Sequence, residues 1–352
     1  MLHKIEQACA DYFDWVRQLQ NALLSSVCAE GVTKTQVTKD WIVSQCSTYQ
    51  KDWLSGFCDR KDKINNSKKS LVTHLQSIAN ATTTKKQKIL DIFGNNQKIE
   101  QGFIDSDTEV YKLRKISAEF KDDKSIVQAY RGFFSIFYDP VFYPVNGYIV
   151  SDEILFTRPY FLEQFLTDNE IGVCVLCDGD LGDPDVDHFY SKKEFPALSM
   201  HIGNLVPICK TCNSRARKGE KAPLDFEEAD QFINWYHPYF RVIDNYYIQF
   251  ERRGEVRLAS EDETEQIRLQ NLDELIGIEE RWKKRLGHII RTTIKQLRKA
   301  DFENLEDKLL EMADSKECEI GELPFGILHT GYLKLAGEGN ESLVEELWEE
   351  VG

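Results

Sequence analysis

Apolar residues recur at three- and four-residue steps through the first 140 or so positions, the spacing that lays one side of an α-helix against a core. Ile5, Cys9, Tyr12, Val16, Leu19 and Leu23 form the first stripe; Val37, Trp41, Tyr49 and Trp53 form a second, with Gln45 as a polar interruption. Leu71, Leu75 and Ile78 make a third, Val110, Leu113, Ile116 and Phe120 a fourth, and Ile126, Tyr130, Phe133 and Phe137 a fifth. Between them the Ser-, Thr- and Lys-bearing stretches 65–69 and 81–86 read as connections. The pattern predicts a helical region over residues 1–150 whose Trp and Phe side chains are core. Partner docking or nucleic-acid sensing is the bolder reading of the same stripes.

The segment 139–147, DPVFYPVNG, carries two prolines and a glycine and predicts a domain boundary. A helix is expected over 152–166, kinked or split by Pro159. Short strands follow at Val186–Tyr190 and Leu205–Ile208, then a helix near Cys212 and Asn213. A short helix at 226–235, a packing turn at His237 and Pro238, and a hairpin of 246–250 with 255–258 about Arg253 and Gly254 come next. The remainder is helical. The expected architecture is mainly α with a small α+β core, divided as 1–150, 151–240 and 241–352.

Charge separates the later segments. Over 281–299 there are eight Lys and Arg and no acid, and all but Lys283 project on one side of a helix, opposite Trp282, Leu286, Ile289, Ile290 and Leu297. Such a stripe can follow a phosphate backbone, or it is a solvated face neutralised by nearby acids. Residues 316–352 carry nine Glu against two Lys, much of the chain's net charge of -15. Residues 187–221 go the other way, with seven cations against three acids. An acidic whole with local basic patches binds nucleic acid poorly on its own. The expectation is an acidic tail that covers the basic helix or meets a basic partner.

The composition is that of a soluble globular protein of 352 residues, with 41% hydrophobic and 29% charged residues. No apolar run reaches the roughly 18 residues of a membrane span, and the amphipathic start is unlike a signal peptide. A cytoplasmic location is expected. Nine cysteines, four of them paired in sequence and the rest scattered, argue against a disulfide framework.

Those four are the centre of the chemistry. Cys174/Cys177 and Cys209/Cys212 form two Cys-x-x-Cys pairs separated by 31 residues, the pattern of a closed four-thiolate Zn2+ site that leaves no open position for a reaction. Inside that frame the expected order is strand, loop, strand, helix. Asp187 and Asn213 offer hard oxygen ligands suited to Mg2+ or Mn2+. His188 is free to take a proton from water, and Asn204 to fix its ring by hydrogen bonding. Lys192, Lys193, Lys210, Arg215, Arg217, Lys218 and Lys221 stand ready for phosphates. His201 reads as a loop bystander.

The DHF-x-x-K step at 187–192 and the NLVP-x-C-x-x-CN-x-x-x-x-K run at 204–218 resemble the HNH endonucleases, the ββα-metal or His-Me finger nucleases, in the subtype with zinc knuckles on both sides. The resemblance covers 173–224, about a seventh of the chain. It implies His188 as general base, Asn204 and Asn213 as the second and third motif residues, and Asp187 with Asn213 as holders of the catalytic metal. Ser191 stands where many relatives have proline, and Asn213 where many have histidine, a variation that points to Mg2+. By analogy it implies DNA cleavage in host defence or restriction, beside an ATPase or sensor complex. An RNA-cutting toxin using the same residues, or a zinc-held adaptor with an idle site, are the other readings.

Overall fold

The computed structural model describes residues 2–347 apart from 47, 63–67, 105–110, 143–146, 152–153, 229, 252–254, 341 and 346. Its helices and strands run in the order α1 (Ala10–Cys28), α2 (Lys39–Gln45), α3 (Lys51–Cys58), α4 (Leu71–Ala79), α5 (Thr83–Asn96), α6 (Ile116–Glu119), α7 (Lys124–Phe137), β1 (Tyr148–Ser151), β2 (Ile154–Phe156) and α8 (Arg158–Asn169). Then come β3 (Asp185–His188), β4 (Leu205–Ile208), α9 (Lys210–Asn213), β5 (Tyr247–Glu251), β6 (Glu255–Ala259), α10 (Glu263–Ile276), α11 (Ile278–Leu297), α12 (Leu305–Glu317) and α13 (Gly326–Gly337). The molecule is mainly helical, with three separate two-stranded antiparallel sheets.

Most apolar stripes become helices, with boundaries set by capping. Ser70 accepts from Thr73 N to open α4, and Asp123 from Ile126 N to open α7. The second stripe breaks into α2 and α3. Residues 81–86 start a helix instead of connecting two: Thr82 caps α5 by accepting from Lys85 N, and Ile89, Ile92 and Phe93 bury its inner face. The fourth stripe shrinks to the single turn α6, its Val110 lying outside the described residues. Pro159 kinks nothing; it sits in the first turn of α8 behind the Thr157 cap, where a missing N–H costs no bond. The expected helix at 226–235 is a series of turns, and the hairpin forms as β5–β6 with its tip at Arg253 and Gly254 outside the described residues. Part of the 65–69 connection and of the 139–147 break lies outside them too.

Buried side chains from Ile5 to Leu347 join one hydrophobic cluster. Phe13 of α1 meets Phe156 and Phe161 edge-on at 4.9 and 5.1 Å, and Tyr148 donates to Phe137 O at 2.5 Å. α7 runs through this core with Tyr130, Phe133, Phe134 and Phe137 fully buried. Gly132 in its middle has a purpose: a Cβ there would collide with the ring of His74, which binds Asp62 at 2.5 Å. Just past α7, Tyr138 donates to Val186 O at 3.3 Å and so ties the helical layer to β3. Among the described residues no helix is long and apolar enough to cross a membrane.

Burial also keeps several histidines neutral: it lowers the pKa of His74, holds His201 down at about 4, and pushes His237 well below its ordinary value. Because the unfolded chain takes up these protons near 6.5 and the folded chain does not, unfolding binds protons on the acid side. Stability should fall as pH drops below about 6.5, by up to roughly 1.4 kcal/mol per unit for each histidine, with the His201 share levelling off near its folded value. Urea midpoints at several pH values, with His201→Gln flattening part of the slope, check this; a midpoint independent of pH would contradict it.

Candidate functional site

The two Cys-x-x-Cys pairs fold as turns whose N–H groups point at sulfur. Cys209 N donates to Cys174 Sγ at 3.4 Å and Cys212 N to Cys209 Sγ at 3.5 Å, while Asp178, in the left-handed region at φ 57°, reverses the chain after the first pair. The four ligand atoms lie within 4.8 Å of one another and all four residues are buried. A tetrahedron of about 2.3 Å Zn–S bonds has sulfur–sulfur edges of roughly 3.8 Å, and Cys177 and Cys209 Sγ stand 3.9 Å apart. This cluster could hold a zinc ion. Hydrogen bonds from the other three cysteines hold Cys209 far below the usual thiol range, whereas burial raises Cys174. All nine cysteines are free of disulfides.

Distant segments close over this cluster. Arg281 of α11 donates to Cys212 Sγ at 3.0 Å, and its neighbour Trp282 donates to Cys177 O at 3.0 Å. Asp178 accepts from Ile327 N at 2.9 Å and pairs with His3 at 2.7 Å. The basic stripe is thereby reduced: Arg281 faces sulfur, Lys283 pairs with Glu255, Lys284 reaches Glu280 at 2.6 Å, and Arg285 lies over the Phe325 ring. Residues 316–337 likewise form part of the packed body, with Leu328, Tyr332 and Leu333 of α13 buried, and so are no detachable cover.

Between the cysteine pairs, β3 and β4 pair antiparallel from Asp185↔Ile208 to His188↔Leu205, and α9 follows with Cys209 as its cap. Asp187 is buried, its carboxyl raised by that burial against the pull of Lys218, whose ammonium lies 2.7 Å away. Lys218 also donates to His188 O at 3.0 Å and is itself 1% exposed. Its expected role on a phosphate is therefore corrected: the charge is spent on neutralising a buried carboxylate. Asn213 Nδ2 donates to Asp185 at 3.2 Å, so the amide of α9 abuts the carboxylate two residues before Asp187.

His188 packs edge-on against Tyr138 at 4.3 Å, and its Nε2 contacts Ser199 O at 3.1 Å. A carbonyl only accepts, so that contact places the proton on Nε2 and leaves the Nδ1 lone pair open. Burial, and after it the Lys192 ammonium, holds this ring down at about 3, neutral at pH 7. Asn204 does not fix the ring. Its Oδ1 accepts from Tyr190 N at 2.6 Å, and its Nδ2 donates to Tyr190 O at 3.1 Å and Leu198 O at 3.0 Å, clamping the loop that carries Ser199. Asn204→Ala orphans three buried backbone groups and should cost about 2–4 kcal/mol in urea unfolding. A loss below about 1 kcal/mol would mean that the loop holds itself.

The other cations are mostly paired. Lys192 binds Asp139 at 2.7 Å, Lys193 binds Glu220 at 3.2 Å, Lys210 binds Asp183 at 2.7 Å, and Arg217 binds Glu280 at 2.9 Å. Lys221 donates to Glu274 O at 3.0 Å, and Arg215 is exposed. Exposed pairs of this kind yield cheaply to a phosphate. His201 binds Gln97 O at 3.2 Å, away from the cysteine cluster, and His237 is buried among Phe103, Phe189 and Phe240.

Sequence reasoning passed over Asp185, although the two-residue period of a strand puts it on the same face as Asp187. It also passed over Arg158, which reaches Asp185 at 3.6 Å, and the sulfur contact of Arg281, for which no local pattern exists. No family model, curated protein or solved structure matches this chain.

Proposed function

We propose that the chain is a metal-dependent endonuclease of the HNH kind that hydrolyses phosphodiester bonds of DNA. One observation carries the reading: a histidine with an open Nδ1 stands next to a buried aspartate on β3, and Asn213 of α9 adjoins the same strand, all within a four-cysteine frame. His188 takes the proton of the attacking water through Nδ1 while Ser199 O keeps the ring in one tautomer. A phosphate brought beside the ring raises its basicity from the low value set by burial.

Asp187, Asp185 and Asn213 form an oxygen-rich donor set on β3 and α9 that fits Mg2+ or Mn2+. The Lys218 ammonium, 2.7 Å from Asp187 Oδ2, would have to yield that oxygen or share the carboxylate with the ion. When bound there, the ion polarises the phosphate and stabilises the leaving 3′ oxygen. Zn2+ in the cysteine cluster would be a staple that fixes the start of α9 to the 174–177 turn. Lys192, Lys193, Lys210, Arg215 and Arg217 exchange their surface acids for backbone phosphates. A role in host defence or restriction, with an ATPase or sensor as partner, extends this reading by analogy.

Supercoiled plasmid and single-stranded RNA, each incubated with the purified protein and Mg2+, Mn2+ or EDTA, test the proposal. Metal-dependent nicking or linearisation of the plasmid is expected. Cleavage of RNA alone would move the substrate, and no cleavage of either would overturn the reading.

A further inference from the structure

A cavity of about 330 Å³ opens between α7 and the loop 191–199, on the flank of His188. Gln128, Arg131 and Ser135 line it from α7, at the i, i+3, i+7 spacing of one helix face. Lys192, Lys193 and Ser199 line it from the loop, and Phe134 and Pro196 add apolar surface. Ser199 is the residue whose carbonyl holds the His188 ring. Lys192 lies over the Tyr138 ring at 4.5 Å, and that ring touches His188. The cavity therefore adjoins the presumptive reacting centre through two shared contacts.

The charges facing it are unequally satisfied. Asp139 accepts from Lys192 at 2.7 Å and from Ser135 at 2.9 Å, and Lys193 is in an exposed pair with Glu220. Arg131 is the exception: its Nε is buried without a hydrogen-bond partner, and among the described residues it joins no ion pair. Arg131 is half-buried and lines the cavity with no carboxylate partner among the described residues, and an oxyanion with two acceptors in a plane is what its charge and remaining donors fit.

We propose that Arg131, on the otherwise unassigned helical layer, clamps the phosphate of one nucleotide flanking the cut, with its base or sugar in the remainder of the cavity. The volume suits a single nucleotide and excludes a duplex, so the strand enters here unpaired or with one nucleotide turned out of its stack. Lys193 gives up Glu220 to join the phosphate. The inference rests on reading His188 as the base of a nuclease, and it deepens that reading by naming how the strand is held.

Calorimetric titration without added Mg2+ or Mn2+, with thymidine 5′-monophosphate and thymidine as probes, separates the two ideas. The monophosphate should bind about tenfold or more tighter than the nucleoside, the worth of a charge-assisted pair. Arg131→Gln should erase that advantage at an unchanged melting temperature, and Arg131→Lys should keep part of it. No preference in the parent protein, or a full preference in Arg131→Gln, would overturn the clamp. Intact monophosphate binding in a protein that cuts neither plasmid nor RNA would sustain the clamp and sink the nuclease.

Discussion

The parent chain should carry zinc in its four-cysteine cluster, and Cys209→Ser should lose that metal and unfold the region around it. Four thiolates closing on one ion contribute an apparent binding free energy of about 10–16 kcal/mol in small zinc domains. That is comparable with the roughly 5–15 kcal/mol by which whole proteins are stable. Serine leaves three ligands and a weak fourth. Arg281 then loses the anionic sulfurs that justify burying a guanidinium, and α11 loses its anchor on the knuckle. Metal analysis should find one zinc per parent chain and substantially less in the variant, and near-ultraviolet dichroism should lose the Trp282 signal. A strong chelator should reproduce the effect. A metal-free protein that melts with the parent would show that the thiols only pack.

His188→Ala should lower single-turnover plasmid cleavage by about 10²- to 10⁴-fold, the usual worth of a positioned base. Zinc content should stay unchanged, because the ring touches Tyr138 and Ser199 O and no cysteine. Removing the half-buried ring costs packing as well, so the melting curve must be read beside the rate. His188→Gln helps here: it retains a donor toward Ser199 O and lacks a comparable base. Equal cleavage by parent and variants would mean that another group takes the proton.

How much of this was written in the chain depends on the range of the interaction. The helical layer was legible because Leu71, Leu75 and Ile78, or Ile126, Tyr130, Phe133 and Phe137, repeat at the helix period. α5 was hidden because its first turn is Thr and Lys, and its signal is the cap at Thr82 instead of an apolar stripe. The cysteine cluster was legible from spacing alone, since each pair is a local turn. Asp187, His188, Asn204 and Asn213 were likewise named from the motif; β3 and α9 carry three of them, and Asn204 ends the short 3-10 turn just before β4. What Asn204 and Lys218 do was not legible, because it depends on which backbone and carboxyl groups lie within 3 Å after folding. The stripe on α11 left two readings open for the same reason: a helical projection shows that Arg281 faces outward from Trp282, and nothing in it reveals the sulfurs or the acids that meet its cations.

The cover over the first knuckle has a consequence for how the molecule is made. The four cysteines fall between 174 and 212, a span that closes early and locally once metal is present. The groups that seal it come from much farther along the chain: Trp282 reaches back 105 residues, Ile327 149, and His3 forward 175. Closing loops of that length is slow, and the last of them cannot close until residue 327 has been synthesised. The knuckle is therefore a template formed mid-translation, on which both flanks of the polypeptide later converge. A truncated product ending before α13 lacks the Ile327 N–H that bonds Asp178, and so leaves that template uncapped on one side.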